Sequence, residues 1–167
     1  MIQQKTNIPI PNVGISYRQA TNSDGSNIRQ IIFATLESYG LSLDTADTDK
    51  DLFDIELYYP YNTFWVLLDQ DDTIKGSFAL FHWDHHNAEI RKMYFHPSIR
   101  GLGLGNWVMQ FLILKAIEMG YRTLSLETAS VLKEAISLYE KHQFVTACGD
   151  IHSHRCDVVM KRFLHTD

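Results

Sequence analysis

The chain has 167 residues, 45% of them hydrophobic and 21% charged, with a net charge of −5 at pH 7. That length fits one domain with a substantial core. The acidic balance, with no Lys/Arg cluster, argues against general binding to nucleic acid or an anionic membrane, and the polar residues Met1 to Val13 do not form a signal peptide.

Met1 to Gly14, with Pro9 and Pro11, reads as an irregular lead-in to a domain covering residues 15–167. Ile15 to Ala20 is expected as a short strand. Thr21, Asn22 and Ser23 offer N-cap side chains for a helix through Tyr39. Its apolar positions Ile28, Ile31, Ile32 and Leu36 recur at helical spacing, and Gly40 stops it. Leu41 to Asp51 is a loop or helix start, and Leu52 to Tyr58 a second helix ending before Pro60. Phe64 to Leu68, Ile74 to His82 and Ala88 to Phe95 follow as strands joined by polar turns. A helix from Asn106 to Met119 is closed by Gly120 at the C′ position. Its apolar part is interrupted by Lys115 and Glu118 and is too short to span a bilayer. Thr123 to Glu127 is a strand, Lys133 to His142 a helix, and Phe144 to Cys148 with Cys156 to Phe163 a final antiparallel pair. Cys148 and Cys156 form no metal or redox motif and are expected as reduced thiols of a cytoplasmic protein.

The order β-α-α-β-β-β-α-β-α-β-β combines consecutive hairpins with one crossover through a helix. This predicts a mixed, mostly antiparallel sheet with helices on both faces.

The sharpest local feature is Arg100-Gly101-Leu102-Gly103-Leu104-Gly105, placed between a strand and a helix start. Alternate glycines let backbone N–H groups converge where the helix dipole is positive, a setting for phosphate oxygens. The dinucleotide pattern fails, because Asn106 stands where its third glycine belongs, and the Gly-Lys-Ser/Thr phosphate loop is absent. A purely structural turn is the competing account.

The segment Met93-Tyr94-Phe95-His96-Pro97, then Arg100-x-x-Gly103-x-Gly105 and an apolar helix, resembles the acetyl-CoA motif of the GNAT superfamily of N-acetyltransferases. Ala135-Ile136-Ser137-Leu138-Tyr139-Glu140-Lys141-His142-Gln143-Phe144 is similar to that family's helix ending "LYEKxGF". The resemblance covers residues 15–164. It departs from the family at Leu132, where many members carry Asn, and at Gln143, where Gly is usual.

The resemblance implies a central parallel strand pair that splays apart to admit the pantetheine arm of acetyl-CoA. The pair would be Met93 to Phe95 and Thr123 to Glu127. Met93 N–H would face the thioester carbonyl, and Tyr94 and Phe95 would border the arm. Arg100, Gly101, Leu102, Gly103, Leu104, Gly105 and Asn106 would cradle the pyrophosphate. Tyr139 would be the general acid for the leaving thiolate, against the alternative of a core tyrosine.

Glu127 ends the strand beside the cofactor, turned from the Leu124/Leu126 face, and is the candidate base; a solvated or ion-paired strand-end carboxylate and a water relay are the alternatives. Glu89 is a rival base, with pairing to Arg91 or Lys92 as the plainer account. The histidine groups His82, His85, His86 and His152, His154 lack zinc spacing, so no metal is expected. His152 and His154 could line the acceptor mouth. The acidic run Asp44, Asp47, Asp49, Asp51, Asp54 and Glu56 could attract a cationic amine or simply favour a helix N-terminus. Tyr58, Tyr59, Tyr61, Phe64 and Trp65 could line that pocket or fill the core. The expected activity is acetyl transfer to an amine of a small molecule or peptide by direct attack in a ternary complex. The alternative is a non-catalytic acyl-CoA-binding module. A homodimer is compatible with the family.

Overall fold

The computed structural model describes residues 8–11 and 14–164. Most of the expected lead-in, 1–7 and 12–13, therefore lies outside the described residues. The sheet contains β1 (Ser16–Gln19), β2 (Phe64–Leu68), β3 (Ile74–His82), β4 (Asn87–Phe95), β5 (Thr123–Thr128), β6 (Val145–Thr146) and β7 (Val158–Phe163). Their spatial order is β1-β2-β3-β4-β5-β7-β6. Every neighbouring pair is antiparallel except β4 and β5, the pair joined through a helical crossover.

Strand parity divides the core in two. Trp65, Leu67, Phe78, Leu80, Ile90, Leu124 and Met160 pack with α3 (Leu104–Glu118). Phe64, Val66, Leu68 and Ala79 pack with Ile28, Ile32 and Leu36 of α1 (Gly25–Ser38). β2 is buried on both faces, which is why Phe64-Trp65-Val66-Leu67-Leu68 reads as a continuous apolar run.

Three boundaries differ from the sequence reading. The expected helix Leu52 to Tyr58 divides into a 3₁₀ turn, Lys50–Phe53, and the single turn α2 (Ile55–Tyr58). It divides at Asp54, which leaves helical geometry and accepts the Leu57 N–H with its side chain. α3 starts at Leu104, two residues early, because Gly103 takes a left-handed φ of 78° and serves as its N-cap. In the last hairpin β6 keeps only Val145–Thr146, and the polar stretch after Ala147 forms an irregular connection to β7.

α4 (Lys133–Lys141) ends where expected, at a left-handed residue. Gln143 has φ 65°. The Phe144 N–H bonds the Tyr139 carbonyl and the Gln143 N–H bonds the Glu140 carbonyl. These two bonds form a Schellman cap built without glycine.

Candidate active site

The site begins with a fault in the sheet. On β3, Ser77 pairs Tyr94 and Ala79 pairs Arg91, so Phe78 alone faces both Lys92 and Met93. This is a bulge, and Lys92 takes φ 54° within it. A bulge bends its strand and raises local twist. β4 pairs β5 only from Asn87 to Ile90, against Thr123 to Leu126. Beyond that point Arg91 to Phe95 have no ladder partner on the β5 side. The parallel pair therefore opens like a fork, with Met93 and Phe95 on one prong and Glu127 on the other.

A cleft of about 750 Å³ occupies the opening. Of the ten residues expected at the cofactor, Met93, Tyr94, Phe95, Arg100, Gly101, Gly103, Leu104 and Gly105 line it, while Leu102 and Asn106 do not. The Asn106 side chain is instead 2.7 Å from Nε2 of His142, tying α3 to the end of α4.

The glycines serve two different purposes. Gly101 and Gly103 have φ of 75° and 78°, and a Cβ on either would meet open space. Their role is backbone freedom, and the loop they shape is clear of side chains. Gly105 lies inside α3, where a Cβ would stand 3.1 Å from the Leu138 side chain, so its role is close packing of α3 on α4. Backbone N–H groups at the open N-terminus of α3 beside this cleft suit the pyrophosphate of a nucleotide cofactor. Arg100 folds back: its Nε donates to the Phe95 carbonyl at 2.9 Å and its Nη2 to Thr35 Oγ1 at 3.3 Å.

Tyr139 lines the cleft from α4, and its side chain is nearly buried. Its hydroxyl makes no hydrogen bond to a described residue. Burial raises its pKa above the ordinary phenol value, and Tyr94 and Cys156 act in the same direction. The phenol therefore stays protonated. The Cys156 thiol, also at the cleft, is pushed up by burial and is a poor nucleophile.

Glu127 lies on the opposite wall, but its carboxylate is engaged. Oε1 accepts the His152 N–H at 2.9 Å and lies 2.7 Å from His152 Nδ1; Oε2 accepts the Ser153 N–H at 3.0 Å. The Glu127 side chain is 10% exposed and that of His152 56%. His152 also lines the cleft, 5.2 Å from the Trp83 ring, and its Nε2 has no partner among the described residues. Glu89 is similarly occupied. It accepts from Trp83 Nε1 at 2.8 Å and from Arg91 Nε at 2.6 Å.

The remaining acidic and histidine candidates mostly serve structure. Asp44 and Asp54 cap turns. Tyr59, Phe64 and Trp65 are core, Tyr61 is exposed, and Tyr58 reaches the cleft. His82 bonds the Tyr121 hydroxyl. Among the described residues no group of three or more His, Cys, Asp or Glu side chains could hold a metal ion.

A buried charge cluster behind the cleft was not visible in sequence. Lys92 Nζ meets Asp49 at 2.6 Å, Asp51 at 3.1 Å and the Thr48 carbonyl at 3.0 Å. Arg155 grips both oxygens of Asp49, at 2.7 and 2.9 Å. Burial works to raise the Asp49 carboxyl, but the Arg155 fork and Lys92 overcome it and hold it below its usual range. Tyr59 donates to Asp51 at 2.7 Å. The one available signal was a lysine in the middle of an otherwise internal strand; nothing in spacing pointed to Arg155.

Residues 29–144 match the model of the acetyltransferase (GNAT) family. An uncharacterized N-acetyltransferase of Escherichia coli, YjgM, is 35% identical over 74% of this chain and 77% of its own length. One from Schizosaccharomyces pombe is 25% identical over 83% of this chain and 87% of its own. A Staphylococcus aureus GNAT acetyltransferase structure superposes with a TM-score of 0.82 at 19% identity, covering 90% of this chain and 99% of that one. The Salmonella typhimurium yncA structure, solved with its cofactor acetyl-CoA, gives 0.69 at 20% identity over 92% and 96%.

Proposed function

The chain belongs to the acetyltransferase (GNAT) family and is an N-acetyltransferase, and from that premise we propose that it moves an acetyl group from acetyl-CoA to an amine of a small molecule or peptide, by direct attack in a ternary complex. The observation that carries this reading is the fork between β4 and β5. It opens beside a bare glycine loop at a helix N-terminus and carries an unbonded tyrosine hydroxyl on its wall.

Acetyl-CoA supplies the thioester: its C–S bond breaks as the amine nitrogen bonds the carbonyl carbon, and the electron pair leaves on sulfur. The chain's own residues do the rest. Met93, with no β5 partner, presents backbone toward the opening, where an N–H stabilises charge developing on oxygen. Gly101, Gly103 and the first turn of α3 hold the phosphates, with Arg100 beside them. Tyr139 donates the proton that the sulfur takes up.

The amine must shed a proton before it attacks. Glu127 acts here through His152. With two backbone N–H groups and an imidazole nitrogen on its oxygens, it is an anchor rather than a free base. It orients the ring so that Nε2 points away from the carboxylate, and Nε2 takes the proton. Cys156, held as a thiol, takes no part, which fits a reaction without a covalent enzyme intermediate. The absence among the described residues of a helix long and apolar enough to cross a membrane is compatible with action in the cytoplasm.

The test is CoA release from acetyl-CoA with a panel of amines, alongside calorimetry of acetyl-CoA binding. Tyr139→Phe is expected to lower kcat by about 10²- to 10⁴-fold while leaving acetyl-CoA affinity within a factor of about two. Tight acetyl-CoA binding with no acceptor turned over would instead indicate an acyl-CoA-binding module.

A further inference from the structure

Resting on the acetyl-transfer reading, we propose that the acceptor carries a free carboxylate next to the amine that is acetylated, as an α-amino acid does, and that Arg91 binds that carboxylate.

The argument starts from how each cation on the acceptor side spends its donors. Lys92 gives its ammonium to Asp49, Asp51 and the Thr48 carbonyl. Arg155 gives both terminal nitrogens to Asp49. Arg91 differs. Glu89 takes only its Nε, and Nη1 and Nη2 make no hydrogen bond to a described residue. The guanidinium is nonetheless held rigidly. Its central carbon lies 3.7 Å from the Phe81 ring centre and 5.2 Å from that of Trp83. The side chain is 21% exposed and lines the cleft.

The two terminal nitrogens are not shut away from solvent, so their donors are open to a ligand that enters the cleft. The free edge of a guanidinium matches a carboxylate, with two parallel N–H···O bonds. The clamp by Phe81, Trp83 and Glu89 fixes the orientation beforehand, so little freedom is lost on binding. Arg91 is the first β4 residue past the last pairing with β5, at Ile90, and lines the same cleft as Met93, so a carboxylate on its fork lies in the opening where the strands part. The amine must therefore be close to the carboxylate within the acceptor. Asp47, Asp51, Glu89 and Glu127 also line the cleft and favour the ammonium of the same zwitterion.

The test separates acceptor binding from turnover. N-acetyl derivatives of the standard L-amino acids, and the matching carboxamides, are titrated into the CoA-loaded protein. The best acid is expected to bind about 10- to 100-fold tighter than its amide, the range for a charge-assisted pair. Arg91→Gln abolishes the difference, and Arg91→Lys, which keeps the charge without the fork, removes most of it. CoA affinity stays unchanged in both, which shows that the variants fold. In turnover, free amino acids should outpace their amides and their decarboxylated amines by a similar factor. Equal binding of acids and amides, or an equal loss of both in Arg91→Gln, overturns the proposal. Discrimination in binding without CoA release from any amine would leave the carboxylate site standing and sink the acetyl-transfer reading.

Discussion

Glu127 and Tyr139 both line the cleft, and their hydrogen bonding makes them different tools. Three hydrogen-bonding partners fix the Glu127 carboxylate in place and make it a firm anchor. An unbonded buried phenol keeps its proton until a strong acceptor arrives. In the proposed mechanism three side chains divide the proton traffic: His152 accepts, Glu127 positions it, and Tyr139 donates. His152→Gln is expected to lower kcat by about 10²-fold or more. Glu127→Gln should cost less, on the order of 10-fold to 100-fold, because the ring stays in place but loses its orienting charge. Glu127→Asp should recover part of that loss. Steady-state rates across the pH range check both. Equal losses in His152→Gln and Glu127→Gln would return the base to Glu127 itself or to water.

At the scale of elements, the active tyrosine is held by the way its helix ends. The Tyr139 carbonyl is the acceptor of the Schellman bond from Phe144, and Phe144 is almost fully buried beneath it. Gln143 must adopt φ 65° to close that cap, at a cost of about 1 kcal/mol for a residue with a Cβ. Gln143→Gly removes the strain but loosens the unfolded chain by a comparable amount. The expected net gain is therefore small, between zero and about 1 kcal/mol, whereas Gln143→Val should lose about 1 kcal/mol or more; urea midpoints measure both. This cap was anticipated from the resemblance of residues 135–144 to the family's helix ending. The chain order of elements and the glycine loop were legible because local chemistry specifies them. The pairing of Glu89 with Arg91, two residues apart, was legible too, but the cluster of Lys92, Asp49 and Arg155 was not. Their partners lie 43 and 106 residues away in two of the ion pairs, and no local pattern encodes which distant charge a bulged strand will meet. The length of α2 was misjudged because Asp54 looks helical by composition yet acts as a cap.

On the scale of the whole molecule, those distant ion pairs hold the acceptor side together. Asp49 comes from the connection between α1 and α2, Lys92 from the bulge in β4, and Arg155 from the connection between β6 and β7. With the Asp49 side chain fully buried, one carboxylate joins three walls of the cleft. Replacing it with Asn leaves the buried Arg155 without its carboxylate and Lys92 with Asp51 alone, and breaking such a pair costs about 3–5 kcal/mol. Its dependence on acid follows from the same geometry. Burial would raise the Asp49 carboxyl, but Arg155 and Lys92 prevail and hold it below the unfolded value of about 3.9. The unfolded chain then takes up the proton first, so the stabilisation is complete above pH 4 or so and is lost as pH falls through the folded value. Asp24 is lowered mainly by Arg18 and adds to the same trend, less strongly because Arg18 is largely exposed. Urea unfolding from about pH 6 to about pH 3 should show a steep loss of stability in the parent chain. Asp49→Asn should start lower and fall less steeply, because the group that titrates is gone. Parallel curves for the two proteins would mean that Asp49 is not held ionised by its partners, and that the walls of the cleft are joined by packing alone.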